Sequence, residues 1–137
     1  DFDDEGLAGL AETLLALAVD GVIICNTTIG PRENLRSPHR DETGGLSGRP
    51  LFDISTRQLA AFHRHTGGKI PLIGVGGIDG AQTAYVKIRN GASLIQLYTA
   101  LTYHGPGLIP AITDGLAELL RRDGFSNISE AVGADLG

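Results

Sequence analysis

Methionine is absent from the 137-residue chain and cysteine occurs once, at Cys25. A lone cysteine cannot close an intrachain disulfide, so no staple holds the fold and a reducing compartment is the simpler assumption. Basic charge is scarce as well: 11 Lys and Arg stand against 16 Asp and Glu, for a net charge of −5. Nothing in this balance resembles a nucleic-acid footprint, which needs clustered excess Lys and Arg. Four of the acids are Asp1, Asp3, Asp4 and Glu5, so the rest of the chain is close to neutral. No apolar run approaches the roughly 18 residues that cross a bilayer, and no basic-then-apolar leader opens the chain. Any membrane contact is expected from elsewhere. Because even position 1 lacks methionine and the chain opens on DFDDE, the expectation is a portion of a longer protein. Its length and 42% hydrophobic content suffice for one modest core, hence one domain or part of one.

What is present is periodic. Leu7, Leu10, Ala11, Leu14, Leu15 and Ala18 recur at helical spacing from Leu7 to Val19, with carboxylates before them where the helix dipole favours them. Asp20-Gly21 breaks that helix, and Val22 to Cys25 reads as a buried parallel-type strand tipped by Asn26, Thr27 and Thr28. Residues 29–50 carry three prolines, many charges and a glycine cluster without sustained period, which marks a binding loop or lid. Ser55-Thr56-Arg57-Gln58 resembles a capping box that opens a helix through Leu59 and Phe62 to Gly67-Gly68. A fully buried strand at Ile70 to Gly74 follows, then a helix with Ala81, Ala84, Tyr85 and Ile88 on one face and a stop at Asn90-Gly91. Another such strand spans Ser93 to Leu97. Beyond Pro106 a helix carries Ile109, Ile112, Leu116, Leu119 and Leu120 to about Gly124, with a last helical turn from Ser129. Alternating strands and helices imply an α/β fold with a parallel sheet. Three strands are too few for a closed barrel or a doubly wound sheet, so the edges await an upstream segment or another copy of the chain.

The chemistry gathers at the strand ends. Gly74-Val75-Gly76-Gly77 stands between strand and helix, but the glycines at 74, 76 and 80 do not fit the dinucleotide spacing, and no acid lies between Asp79 and Asp114 to hold a ribose. The Rossmann reading is therefore rejected. In a (β/α) barrel GVGG lets phosphate approach backbone N–H groups, although by itself it equally suits a tight turn. Leu97-Tyr98-Thr99-Ala100 ends the next strand, where a hydroxyl and the amides of a helix start form an anion nest. Tyr98 alone would be a packing residue and Thr99 an ordinary N-cap; the pairing with GVGG favours phosphate. Asn26, Thr27 and Thr28 suit a planar, hydrogen-bonding ligand or a simple turn. Thr43 to Gly48, with glycines flanking Ser47, allows close backbone approach to a ligand or forms a loop tip.

Other candidates are weaker. His63 and His65 lie two apart on a helix and cannot make the i,i+4 pair of a helical zinc site; all four histidines are assigned to the surface, and no metal is expected. Cys25 sits in an apolar strand without a basic neighbour, a structural thiol rather than a nucleophile. No serine or cysteine has a paired base in sequence.

Taken in order, DGVIICNTT, ETGGLSGRPL, PLIGVGGIDG, GASLIQLYTAL and ISEAVGAD resemble the C-terminal part of the membrane-associated, quinone-linked class of dihydroorotate dehydrogenase. The likeness runs over nearly the whole chain. NTT, TGGLSG and LYTAL are the forms of that class rather than of its sister class. The resemblance implies an (β/α)8 TIM barrel holding FMN at its C-terminal mouth, with residues 1–137 supplying the last three strands and their helices. Upstream strands and N-terminal membrane helices would lie outside this chain. It assigns Asn26 and Thr27 to the pyrimidine substrate. Cys25 takes a flavin-contacting strand position where the family carries threonine, Ser47 and Gly48 lie in the flavin-contacting loop, and Gly76 and Gly77 stand near the phosphate. Tyr98 and Thr99 complete the phosphate grip.

In that family an upstream serine removes the C5 proton of dihydroorotate while hydride leaves C6 for flavin N5, and quinone reoxidises the flavin. Neither that serine nor the family's flavin-contacting lysine has a counterpart here, so no catalytic residue is assigned to this chain, which alone is expected to be inactive. The implied partners are dihydroorotate or orotate and a quinone. The implied location of the complete protein is peripheral, at the cytoplasmic side of a bacterial cell membrane or the mitochondrial inner membrane, with this portion soluble. Two other readings stand beside it: another FMN or phosphate-binding TIM-barrel enzyme, and a non-catalytic phosphate-binding half-barrel that self-associates through its open edges.

Overall fold

The computed structural model describes residues 1–30 and 32–137; Pro31, one of the three prolines of the long connection, lies outside the described residues. Helix α1 (Asp4–Ala16) begins at Asp4 rather than Leu7, because the Asp3 carboxylate accepts a hydrogen bond from the Gly6 N–H at 2.8 Å and so caps the helix. It stops short of Val19, where Ala18 turns the chain at φ +51°.

Strand β1 (Val22–Ile24) pairs in parallel with β2 (Leu72–Gly74), and β2 with β3 (Ala92–Ile95), in the sheet order β1-β2-β3. All three are shorter than their apolar runs. Cys25 leaves the ladder at φ +86°, and β3 starts at Ala92 and ends at Ile95 instead of running from Ser93 to Leu97.

Between β1 and β2, the Arg32 guanidinium donates to the carbonyls of Arg40, Glu42 and Gly44, giving the connection an internal hub. An antiparallel bridge joins Thr28 to Leu46, with amide-to-carbonyl distances of 3.2 and 2.8 Å. A 3-10 turn (Arg49–Leu51), with Pro50 supplying a preset φ, leads directly into α2 (Phe52–Thr66). The segment Ser55 to Gln58 is therefore not a cap. It falls inside the helix, where the hydroxyls of Ser55 and Thr56 donate back to the Phe52 carbonyl at 3.1 and 2.6 Å. Gly67, in the left-handed region at φ +58°, ends α2.

Helix α3 (Ala81–Arg89) starts where Thr83 Oγ1 accepts from the amides of Asp79 and Gly80. A short helix α4 (Thr99–His104) leaves the end of β3, with Tyr98 rather than Thr99 at the N-cap position; α5 (Leu108–Asp123) and α6 (Ile128–Ala131) follow. Among the described residues no helix is long and apolar enough to cross a membrane.

Helices cover one face of the sheet. Helix α2 packs on β1 and β2, α3 on β3, α1 on α2 and α5 on α3. Leu59, Phe62, Leu72, Ile24 and Ala92 are buried between sheet and helices, each large side chain contributing about 1.5–3 kcal/mol. The opposite face carries the register row Ile23, Ile73 and Leu94, of which Ile23 is 53% and Leu94 64% exposed. The strands expected to be buried throughout thus bury one face only, because every helix that packs on the sheet packs on the other side.

Candidate functional site

Since the strands are parallel, their C-terminal ends open together, and there a cleft of about 810 Å³ is formed. It brings together all nine residues singled out from the sequence: Cys25, Asn26 and Thr27 after β1, Ser47 and Gly48 from the connection, Gly76 and Gly77 after β2, and Tyr98 and Thr99 after β3.

The β2 end is the most tightly built part. Gly76 and Gly77 have φ values of +95° and +75°, and both lie against the start of α2. A Cβ on Gly77 would sit 2.5 Å from Phe52 Cα, and one on Gly76 2.8 Å from Ser55 Oγ. Both glycines also line the cleft, where without side chains they present backbone to a ligand, as close approach of an anion to N–H groups requires. Thr99 Oγ1 donates to Ser47 Oγ at 3.1 Å, joining the β3 end to the connection. Gly48, at φ +77°, lies against the Thr99 methyl group. Tyr98 is 85% exposed at the rim.

The β1 end is looser. Asn26 and Thr27 are both exposed, and Asn26 Oδ1 accepts from the Thr27 amide at 2.8 Å, which occupies the side-chain oxygen. Thr28 is buried, and its hydroxyl donates to the Asp1 carboxylate at 2.6 Å. Gly45 lies directly over Thr27, so close that a Cβ there would overlap the Thr27 hydroxyl.

Three expectations need correction. Cys25 does have a basic neighbour: burial pushes its thiol up, and the Lys87 ammonium opposes that. Ser55 does have a basic partner, since Lys87 Nζ lies 2.5 Å from its hydroxyl oxygen, but both side chains are buried and the single Ser55 hydroxyl proton is shared between the Phe52 and Gly76 carbonyls, each 3.1 Å from Oγ. His63 is half-buried rather than fully on the surface. Its ring is wedged against Gly68, Gly91 and Gly133, with Nδ1 buried and without a hydrogen-bond partner. His39 is exposed beside Glu42, His65 binds Asp4 at 2.9 Å, and His104 is exposed. Among the described residues no cluster of three His, Cys, Asp or Glu side chains could hold a metal.

Lys87 is the residue that pattern reading missed. It is fully buried, donating to Ser55 Oγ at 2.5 Å and to the Phe52 carbonyl at 3.4 Å, with its ammonium 5.1 Å from the centre of the Phe52 ring. Burial lowers its pKa to about 8. A signal existed: Lys87 follows Ala84 by three positions and precedes Ile88 by one, which puts it on the buried stripe of α3. Gly74 makes room for its stem, since a Cβ there would lie 3.2 Å from Lys87 Cβ.

A parallel strand–helix array, helices on one face and a polar cleft at the strand ends, defines an α/β protein of the kind that forms part of a (β/α)8 barrel. The family model described as dihydroorotate dehydrogenase matches residues 1–120, and the chain belongs to that family. It is 55% identical over 136 residues to a dihydroorotate dehydrogenase (quinone) of Azorhizobium caulinodans, covering 99% of this chain and 38% of that relative. To the mitochondrial dihydroorotate dehydrogenase (quinone) of Oryza sativa subsp. japonica it is 54% identical, covering 98% and 29%. A crystal structure of DHODH from Eimeria tenella in complex with ferulenol superposes with a TM-score of 0.95 at 40% identity, over 98% of this chain and 36% of that one. The chain therefore spans well under half the length of the relatives it matches.

Proposed function

We propose that residues 1–137 form the C-terminal portion of a single FMN-binding (β/α)8 barrel domain, and that the complete protein oxidises dihydroorotate to orotate with a quinone as electron acceptor. The observation that carries this reading is the convergence of Asn26, Thr27, Ser47, Gly48, Gly76, Gly77, Tyr98 and Thr99 on one strand-end cleft. The identity to quinone-linked relatives supports the substrate and acceptor.

The residues fit FMN on the structure's own terms. The glycine turn after β2 lines the cleft with backbone packed so closely on the start of α2 that neither glycine has room for a Cβ, and the Tyr98–Thr99 corner faces the same cleft. When bound, the flavin supplies the hydride acceptor. Gly76, Gly77, Tyr98 and Thr99 would hold its phosphate, while Ser47, Gly48 and Cys25 would lie along the rest of it. Asn26 and Thr27 would orient the pyrimidine by hydrogen bonds; charge-neutral amide and hydroxyl groups position a ring without abstracting a proton. No residue of this chain is assigned the proton abstraction. The location proposed for the complete protein is the cytoplasmic side of a bacterial cell membrane or the mitochondrial inner membrane.

The test is a visible absorption spectrum of the purified complete polypeptide, followed by addition of dihydroorotate under anaerobic conditions and then of a soluble quinone. Flavin bands that bleach with dihydroorotate and return with quinone are expected. Flavin that binds but is not reduced by dihydroorotate would overturn the substrate assignment.

A further inference from the structure

Lys87 is fully buried, with its ammonium beside Ser55 and Phe52. Among the described residues no carboxylate lies within ion-pair distance of its Nζ, and the titratable groups whose charges reach it are Cys25 and Asp53. A buried ammonium without a paired carboxylate is costly unless another anion compensates it. Its hydrogen bonds point to where that anion would be. Nζ donates to Ser55 Oγ at 2.5 Å, Ser55 Oγ donates to the Gly76 carbonyl at 3.1 Å, and Gly76 and Gly77 form the left-handed turn of the cradle. Ser55, Gly76 and Gly77 line the cleft and Lys87 does not. Within that cradle the anion-binding groups of Gly76, Gly77, Tyr98 and Thr99 are amides and hydroxyls, none of which carries a full positive charge.

We infer that Lys87 is a positioning residue for the ligand's phosphate: a buried cation set behind the Gly76–Gly77 turn, holding the turn through Ser55 and supplying the positive charge that the cradle lacks. This rests on the FMN reading and deepens it. Lys87 does not touch the phosphate. It acts through one layer of backbone, where little water screens it, so its charge keeps an influence that an exposed lysine would lose. A purely structural lysine would be replaceable by an apolar chain of similar length without regard to what the cleft holds, and often with no loss of stability.

The experiment compares two flavins that differ only in the phosphate. FMN and riboflavin are titrated into the complete polypeptide, in its native form and as Lys87→Met and Ser55→Ala, and binding is followed by quenching of flavin fluorescence. The native protein is expected to prefer FMN. Lys87→Met is expected to lower that preference about tenfold while riboflavin affinity stays within about twofold. Ser55→Ala, which cuts the link but leaves the charge, should lower it about threefold. A native preference for FMN that survives unchanged in Lys87→Met would overturn the inference and leave the FMN reading standing. A native protein that binds both flavins equally would overturn the phosphate reading itself, and this inference with it. Should Lys87→Met fail to fold, Ser55→Ala decides alone, and an unchanged preference in it overturns the inference.

Discussion

Two strand ends meet in the same cleft and are built on opposite principles. After β2, Gly76 and Gly77 are pressed against Phe52 and Ser55, with the buried Lys87 bonded behind them. After β1, Asn26 and Thr27 stand exposed, fixed by one amide contact and by Gly45 lying over Thr27. The first arrangement resists any change of shape, because the groups that would have to move are backbone and buried side chains. The second is held mainly at its surface and can be altered without disturbing the core. A rigid turn suits a tightly kept prosthetic group, and an open amide and hydroxyl pair suits a ligand that must enter and leave at each turnover.

Gly77→Ala tests the rigid end and should have the largest effect. Its Cβ would lie 2.5 Å from Phe52 Cα and 2.6 Å from Phe52 N, neither of which can swing aside, and the φ of +75° disfavours any side chain. A loss of about 2–4 kcal/mol is expected in chemical denaturation of the complete polypeptide, together with loss of bound flavin. A variant with native stability would show that the turn is not rigid.

Asn26→Ala tests the open end, and the contrast predicts a different kind of loss. Orotate affinity should fall by about 10- to 100-fold while the denaturation midpoint and the flavin content stay at native values. Loss of flavin with the affinity for orotate would erase the distinction between the two ends. Gly45→Ala sharpens the same point more gently. A methyl group at that position would overlap Thr27 Oγ1 and lie 2.5 Å from Thr27 Cβ, so Thr27 itself must shift, and orotate affinity should drop on the order of tenfold with flavin retained. Isothermal titration of orotate into the two variants measures both.

The difference between the two ends also decides what could be read in advance. The element order, three parallel strands and the helix stripes follow from apolar spacing, and all nine candidate residues lie on strand ends or on the glycine-rich loop where turn chemistry marks them. What escaped pattern reading depends on contacts far apart in sequence. The start of α2 is set by the Arg49–Leu51 turn rather than by a capping box at Ser55, whose hydroxyl is bonded to Gly76, 21 positions away. His63 is half-buried because Gly91 and Gly133, neither near it in sequence, leave a slot for its ring. Lys87 reads as a surface lysine until Ser55 and Phe52 are placed beside it, although its helical phase already put it on the buried stripe. The open face of the sheet likewise could not be inferred from apolar runs, which look the same whether one face is covered or two.

A third region lies away from the cleft and supplies the control for both ends. The Asp123 carboxylate, at the end of α5, accepts from Arg122 Nε at 2.7 Å, from the Tyr85 hydroxyl at 2.9 Å and from Arg89 Nη1 at 2.8 Å, while Arg89 also reaches Asp135 near the chain's last residue. Arg122 first and then Tyr85 hold the pKa of Asp123 at about 2, below its ordinary value. The sign follows directly. A carboxyl group whose folded pKa is depressed contributes stability that is fully present above its unfolded value, about 3.9, and is lost as pH falls toward 2. Asp123→Asn should therefore lower stability at neutral pH by a small amount and flatten the fall in stability between about pH 4 and pH 2, which acid titration followed by circular dichroism measures. Flavin and orotate affinities should not move, since this network does not line the cleft. If the variant loses flavin at neutral pH while remaining folded, the helical layer under Tyr85 and Lys87 transmits strain to the β2 turn, and the turn's rigidity belongs to α3 as much as to the glycines and Phe52.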